Sequence, residues 1–407
     1  MIKTALISVS NKEGIVDFAK QIARLGVKII STGNTAKLLK KNKINVTLVS
    51  EITKFPEMLD GRVKSTHPNI FAGILADRKN KKDLNELKKL KINPIDLVII
   101  NFYPFEETIR KTKKLKNIIE NIDIGGPALV MAAAKNYKNV LIVVDPNDYN
   151  SIIEKIKNKK MTEDDKIKLA TKAFSYTARY DTIINHYFNN LTKNQFPDIL
   201  NLTFEKIQNL RYGENPHQIA SFYRDFLVNE SCVATAKQLQ GKELSFNNIL
   251  DIDAAFELVK EFEKPSAAVI KHTNPSGVAS AETIESAYRK AHETDPKSAF
   301  GSIVALNRNC NVEIAQLMKP LFIEVIICPE FDKDALEILK EKKNLRLLET
   351  GTIKKLKLRY ETKKVAGGLL YQTDYYPELK ENDLKVVTHR KPAKEEMQDL
   401  LFAWKVN

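Results

Sequence analysis

An ammonium and an imidazole stand side by side in Lys271-His272-Thr-Asn-Pro-Ser-Gly277, directly after the apolar run Ala267-Ala-Val-Ile270. A strand giving way to a turn is where α/β folds place their chemistry. An imidazole titrates near neutrality and moves protons, and a neighbouring lysine lowers its pKa or holds an anion, so the pair reads as a base and its helper. A second set lies in the amino-terminal half. Asn101-Phe-Tyr-Pro-Phe105 ends a buried-looking strand, and Asn121-Ile-Asp-Ile-Gly-Gly-Pro-Ala128 opens a helix that carries Lys135, with Pro127 suited to its first turn. The carboxylate of Asp123, the phenol of Tyr103 and the amines of Lys64 and Lys135 are the types needed to polarise a carbonyl, take a proton and expel water. Core packing is the other role open to Tyr103.

Two strand-to-helix turns offer hydroxyls and backbone N–H groups to an anion: Ser8-Val-Ser-Asn-Lys-Glu-Gly14, with Ser10, Asn11 and Lys12, and Ser31-Thr-Gly-Asn-Thr35, with Thr32, Gly33, Asn34 and Thr35. Either turn alone is explained by helix capping through Ser10 or Asn34. Two on consecutive βα units favour phosphate. Gly61-Arg-Val-Lys-Ser-Thr-His-Pro68 adds Arg62, Lys64 and Ser65, and alternation on a strand-like backbone would aim Arg62 and Lys64 the same way, either at a phosphate or into solvent from an edge strand. Neither the dinucleotide Gly-x-Gly-x-x-Gly pattern nor the Walker pattern is present, so a ribose monophosphate is the better ligand than nicotinamide or ATP.

These residues need rigid elements, and the sequence supplies them in alternation. Strand-like Thr4–Ser8, Val27–Ser31, Val46–Val49, Asp96–Phe102 and Leu141–Val144 are interleaved with helical Lys12–Leu25 and a helix from Thr35, a βαβ rhythm. Helical Asp148–Lys160 and Glu163–Phe188 follow, the latter with Leu169, Ala173, Tyr176 and Tyr180 at helical spacing. The turn-rich stretch 189–197 marks a boundary near Lys193, which gives domains 1–193 and 194–407. The second domain mixes apolar runs Ala267–Ile270, Ser302–Leu306, Glu324–Cys328 and Gly367–Tyr371 with helices Ile284–His292 and Lys333–Lys340, and is α/β as well.

Composition narrows the function. A chain of 407 residues exceeds one ordinary core, and no apolar stretch approaches the ~20 residues that span a bilayer, so a membrane role is not expected. The N-terminus runs straight into a strand without a cleavage signal, which predicts a cytoplasmic protein. Three distant cysteines and six scattered histidines show no metal-ligand spacing, so no metal is expected. The net charge of +14 sits in lysine-rich helix faces and turns without interleaved aromatics, which argues against nucleic acid and leaves attraction of small polyanions.

Taken as a set, the motifs resemble the bifunctional purine-biosynthesis enzymes that catalyse the last two steps to inosine monophosphate, over essentially the whole chain. The turns at Ser8 and Ser31, Arg62–Pro68, Asn101–Phe105 and Asp123–Ala128 resemble the cyclohydrolase half, which implies a methylglyoxal-synthase-like parallel-sheet domain. Leu210-Arg-Tyr-Gly-Glu-Asn-Pro-His-Gln218, Gln240–Asn248, Lys271–Gly277 and Ser298-Ala-Phe-Gly301 resemble the formyltransferase half, which implies cytidine-deaminase-like α/β units without zinc. The resemblance implies that His272 is the general base for attack of the 5-amino group of aminoimidazole-carboxamide ribotide on 10-formyltetrahydrofolate, with Lys271 assisting and Arg211 and Tyr212 holding the ribotide. It implies that Lys64, Tyr103, Asp123 and Lys135 close the ring with loss of water. Ser10, Asn11, Lys12, Thr32, Gly33, Asn34, Thr35, Arg62, Ser65, Asn101 and Ile124 match its nucleotide-contacting positions. A homodimer is implied too. The family continues about a hundred residues further, roughly a small domain layer, so a truncated transferase half is expected, and Met131, Tyr137 and Ser276 depart from the family's usual Arg, His and Cys. The rivals are a non-catalytic phosphate-binding regulatory module of the methylglyoxal-synthase type and an RNA-binding protein.

Overall fold

The computed structural model describes residues 2–59, 61–226, 228–354, 359–374 and 379–407. The chain divides into two compact units, Met1–Leu202 and Thr203–Asn407. In the first, β1 (Thr4–Val9), α1 (Ile15–Arg24), β2 (Lys28–Ser31), α2 (Gly33–Lys41) and β3 (Val46–Leu48) are followed by α3 (Val49–Thr53), α4 (Pro68–Leu75) and α5 (Lys81–Lys89). Next come β4 (Leu97–Asn101), α6 (Phe105–Lys111), α7 (Leu115–Glu120), α8 (Gly125–Lys135), β5 (Leu141–Val143), α9 (Tyr149–Lys157) and α10 (Glu163–Leu191). The strands form one parallel sheet in the order β3-β2-β1-β4-β5. Continuous apolar runs such as Leu97-Val-Ile-Ile100 belong to strands covered on both faces, and those four residues are buried. Helix α1 seals one face because Ile15, Phe18, Ala19 and Ile22 recur at helical spacing and are buried.

The strand order decides where a ligand can sit. From β1 the chain moves outward through β2 and β3, then returns to the other side of β1 with β4, so the carboxyl ends of β1 and β4 flank a topological switch point, where open α/β sheets bind ligands.

The second unit contains β6 (Phe204–Leu210), β7 (Ala220–Asp225), β8 (Lys237–Gln240), α11 (Phe246–Lys260), β9 (Ser266–Lys271), β10 (Asn274–Ser280), α12 (Ile284–Thr294) and β11 (Ser302–Leu306). It continues with α13 (Val312–Met318), β12 (Ile323–Cys328), α14 (Lys333–Lys340), β13 (Arg346–Glu349), β14 (Tyr360–Val365), β15 (Gly368–Thr373) and α15 (Lys394–Val406). Its main sheet is mixed, in the order β10-β9-β11-β12-β13-β8, with β9 antiparallel to β11 while β11, β12 and β13 run parallel. Several details go beyond the sequence reading. The Gly367–Tyr371 run belongs to the separate hairpin β14–β15 and not to the main sheet. The β6–β7 hairpin and β10 were not anticipated, since half-exposed strands with Pro275 and Gly277 lack an apolar signature.

Candidate active sites

In the amino-terminal unit, Lys12, Gly33, Lys64, Ser65, Asn101, Tyr103 and Asp123 gather at the carboxyl ends of β1, β2 and β4. Lys64 Nζ donates to Tyr103 Oη (3.2 Å) and lies 5.8 Å from the centre of that ring. Asp123 Oδ1 accepts the Gly126 N–H (2.8 Å) and so caps the start of α8. Burial pushes the Asp123 carboxyl above the ordinary carboxylate range, opposed by the Gly126 N–H, the Lys64 charge and the Tyr103 N–H. Burial and the charge of Lys64 push the Lys12 amine down. A half-buried carboxylate of raised basicity beside an ammonium that is itself bonded to a phenol is a set of groups able to move a proton.

The glycines of Gly125-Gly126 allow that approach. A side chain at Gly126 would place its Cβ 2.6 Å from Asp123 Oδ2, and one at Gly125 would sit 3.3 Å from Ser65 Oγ, itself buried.

Capping does not explain the two βα turns. The residue before α1 is Gly14 and the one before α2 is Thr32, and neither helix has a side-chain cap. They nevertheless differ in what they offer. Asn101 Oδ1 already accepts the N–H groups of Ser10 (2.6 Å) and Asn11 (2.8 Å), and its Nδ2 donates to Asn11 O (3.1 Å). The first turn is therefore a structure that Asn101 holds. Thr35 Oγ1 accepts from Lys12 Nζ (2.9 Å) and from Val9 N–H (3.2 Å), and Lys12 also bonds the Val9 carbonyl. What faces outward is the start of α2, at Gly33 and the exposed Asn34, with no acidic residue in its first turn and Lys64 Nζ 4.0 Å from where a Gly33 side chain would begin. Such a helix start is suited to an anion.

Arg62 and Lys64 are not on a strand. Met58 and Val63 meet in a single bridge, with Arg62 Nε on Leu59 O (2.9 Å) and its guanidinium 4.0 Å from Glu120. Lys64 turns inward while Arg62 stays exposed. Ile124 is 70% exposed immediately before α8. Lys135 closes α8 roughly 15 Å along its axis from Gly125. Among the described residues it makes no hydrogen bond or ion pair with Lys64, Tyr103 or Asp123.

In the carboxy-terminal unit Lys271 and Asn274 pair across a two-residue hairpin whose corners, His272 and Thr273, have φ of 56° and 61°. Such corners usually carry Asn or Gly, and a β-branched threonine there is costly. One carboxylate, Asp251 of α11, holds the corner by accepting both the His272 N–H (3.2 Å) and the Thr273 N–H (2.7 Å). His272 is thereby presented to solvent, while Lys271 Nζ donates to Phe300 O (2.9 Å) in the Ser298–Gly301 motif. The register pairs Leu347 with Gln240, Ile303 with Ile270, Ser302 with Ile323, and Val325 with Arg346, so Gln240, Lys271, Ser302, Glu324 and Arg346 share one end of the sheet.

That end is the amino-terminal one for β11–β13. It receives Lys271 because β9 runs the other way. Arg211, stacked over Tyr212 at 5.7 Å, is close enough to Arg346 for their charges to interact, and Arg346 lies 3.7 Å from Glu324, which also accepts from Asn248 Nδ2 (2.9 Å). Asp251, Glu324 and Arg346 were not singled out from sequence. Only their strand and helix positions relative to Lys271 reveal them.

No group of three or more His, Cys, Asp and Glu suited to a metal occurs among the described residues, and no helix among them is long and apolar enough to cross a membrane. Comparison with known proteins agrees with both halves of the geometry. A family described as an MGS-like domain matches residues 14–128, and one described as the AICARFT/IMPCHase bienzyme matches residues 133–407. The chain is 53% identical over 408 residues to the bifunctional purine biosynthesis protein PurH of a Thermoanaerobacter species, and 51% identical over 411 residues to that of Acetivibrio thermocellus. In each case all of this chain and 80% of the relative are covered. The Oceanobacillus iheyensis protein of the same name is 47% identical over 406 residues. With an MGS-like sheet in its first unit and a mixed α/β sheet in its second, this chain belongs to the AICARFT/IMPCHase bienzyme family.

Proposed function

We propose that the chain catalyses the last two steps of inosine monophosphate synthesis, with ring closure performed at the β1/β4 switch point and formyl transfer at the Lys271-His272 hairpin. The observation that carries the first assignment is the meeting of Asp123, Lys64 and Tyr103 beside the open start of α2. In this reading the 5′-phosphate of the formylated ribotide sits on the N–H groups of Gly33 and Asn34, and its formamide lies between Asp123 and Tyr103. The carboxamide nitrogen attacks the formyl carbon as Asp123 takes its proton, and the formyl oxygen gains a proton from Tyr103, whose phenol the Lys64 ammonium polarises. The carbinolamine then loses its hydroxyl as water with the proton returned by Asp123. The remaining formamide N–H proton restores Tyr103, so nothing is left over.

At the hairpin, His272 takes a proton from the 5-amino group of the ribotide as it attacks the formyl carbon of 10-formyltetrahydrofolate; the tetrahedral adduct then breaks its C–N10 bond, and N10 takes that proton back from His272 and leaves as tetrahydrofolate, while Arg211 with Tyr212 holds the phosphate-bearing end. A cytoplasmic homodimer is the working form in this reading. Purified protein supplied with formylated ribotide is expected to form inosine monophosphate, read by its absorbance and by chromatography; a folded sample that forms none overturns the first assignment. The Lys135→Ala variant separates the two ideas of that lysine: undiminished closure places it outside the mechanism, in line with its position at the far end of α8.

A further inference from the structure

Resting on the ring-closure reading above, we propose that Tyr180 and Tyr176 are positioning residues for that reaction, whose hydroxyls, on successive turns of α10, fix the two loops that carry Asp123 and Tyr103. The sequence presents both tyrosines as part of an apolar stripe, and their rings do pack that way: Phe102 stacks on Tyr176 with centroids 4.3 Å apart and meets Tyr180 edge-on at 4.9 Å. Packing alone would leave the hydroxyls idle, but they end on backbone. Asp123 N–H donates to Tyr180 Oη (2.7 Å), which donates in turn to Asn121 O (3.3 Å), and Phe102 N–H donates to Tyr176 Oη (3.0 Å). Residues four apart on one helix face thus grip residues 102 and 123, each adjacent to or identical with a proposed catalytic group.

The Asp123 carboxylate must stay half-buried to remain basic, and Tyr103 must stay within reach of Lys64. Neither loop is part of the sheet, and the 121–124 segment has no regular structure of its own. Holding reacting groups to within a fraction of an ångström is worth large rate factors. The brace comes from α10, which follows the last strand of the sheet within the same unit, so in this reading a helix outside the βα turns completes the site.

The test uses the full chain with Tyr180→Phe and Tyr176→Phe, which keep the rings and remove only the oxygens. Tyr180→Phe is expected to lower kcat for ring closure on the order of tenfold to a hundredfold. Affinity and stoichiometry for inosine monophosphate in calorimetry should be unchanged, because the α2 anion seat is untouched and the lost interaction is one that matters in the transition state. Exchange of the Asp123 amide hydrogen should accelerate in the same variant, and that of Phe102 in Tyr176→Phe. The acidic limb of the rate profile should move to lower pH in Tyr180→Phe as water reaches a carboxylate otherwise faced by the Lys64 ammonium, the Tyr103 and Gly126 N–H groups and the two phenols. Full kcat in both variants overturns the positioning role, as does a kcat loss matched by an equal loss of binding sites, which is simple unfolding. A wild-type sample that binds inosine monophosphate yet closes no ring instead overturns the functional reading on which the inference rests.

Discussion

Burial makes a carboxylate more basic than it is in water, and Asp123 is kept in that state with only partial compensation from two N–H groups and the Lys64 charge. The same condition weakens the fold. Since the folded value lies above the unfolded one, the ionised form is the one folding penalises: the penalty is absent below the ordinary carboxylate range, enters as pH rises through the raised value, and is complete above it. Asp123→Asn keeps an oxygen for the Gly126 N–H and sheds the charge. It should melt at a higher temperature than the wild type at pH 7.5, with the difference vanishing in acid, while ring closure falls on the order of 10²–10⁴-fold. A variant that loses activity and also melts lower would show that Asp123 is there to hold the loop. The residue types were legible in the sequence at this scale. What escaped was the internal use of Asn101 and Thr35, whose side chains serve the Ser10–Lys12 turn, because an amide that binds a ligand and one that binds a loop look alike in sequence.

Among the elements, the hairpin that carries His272 depends on how closely α12 lies against β10. A Cβ added at Gly277 would fall 1.8 Å from the Ala291 carbonyl oxygen of α12, a backbone atom that cannot swing aside. Gly277→Ala is therefore expected to cost about 1–3 kcal/mol of overpacking and to lower the melting temperature of the second unit by roughly 2–12 °C, measured by calorimetry. An unchanged melting point would mean that the helix yields freely. The apolar run of β9 predicted a strand, but β10, which contains Pro275 and a bulge between Pro275 and Gly277, reads as a loop. Its strand character comes from pairing with β9, a tertiary gain that local propensity does not record. Arg62 and Lys64 are the converse case, where alternation suggested a strand that, among the described residues, pairs only through the bridge at Met58 and Val63.

At the scale of a whole unit, charges far apart in sequence are buried together. Lys260, its side chain 0% exposed, donates to Glu257 (2.7 Å) and to Ser231 O (2.9 Å) and lies 3.5 Å from Glu230, while Arg359 pairs with both Glu230 and Glu257. Removing one member leaves largely buried carboxylates with less compensation. Lys260→Met should destabilise the second unit by about 3–5 kcal/mol in urea unfolding, whereas breaking an exposed pair such as Lys264–Glu282 should leave the unfolding curve essentially unmoved. Equal effects at the two sites would remove the distinction. Nothing in the sequence around Lys260 sets it apart from the other lysines, since burial is decided by what residues 230 and 359 bring to it.

The sequence by itself determined the alternation of strands and helices, and it offered the start of α2 and the side chains of Lys64, Tyr103, Asp123, Lys135, Lys271 and His272 as candidates, because these rest on local periodicity and on functional-group chemistry carried within a few residues. Tertiary structure decided that β1 and β4 flank the switch point, that antiparallel β9 delivers Lys271 to the same sheet end as Glu324 and Arg346, and that two tyrosine hydroxyls of α10 reach the loops at 102 and 123. Strand direction and pairing register join residues tens to hundreds of positions apart, and no short stretch of chain contains that information.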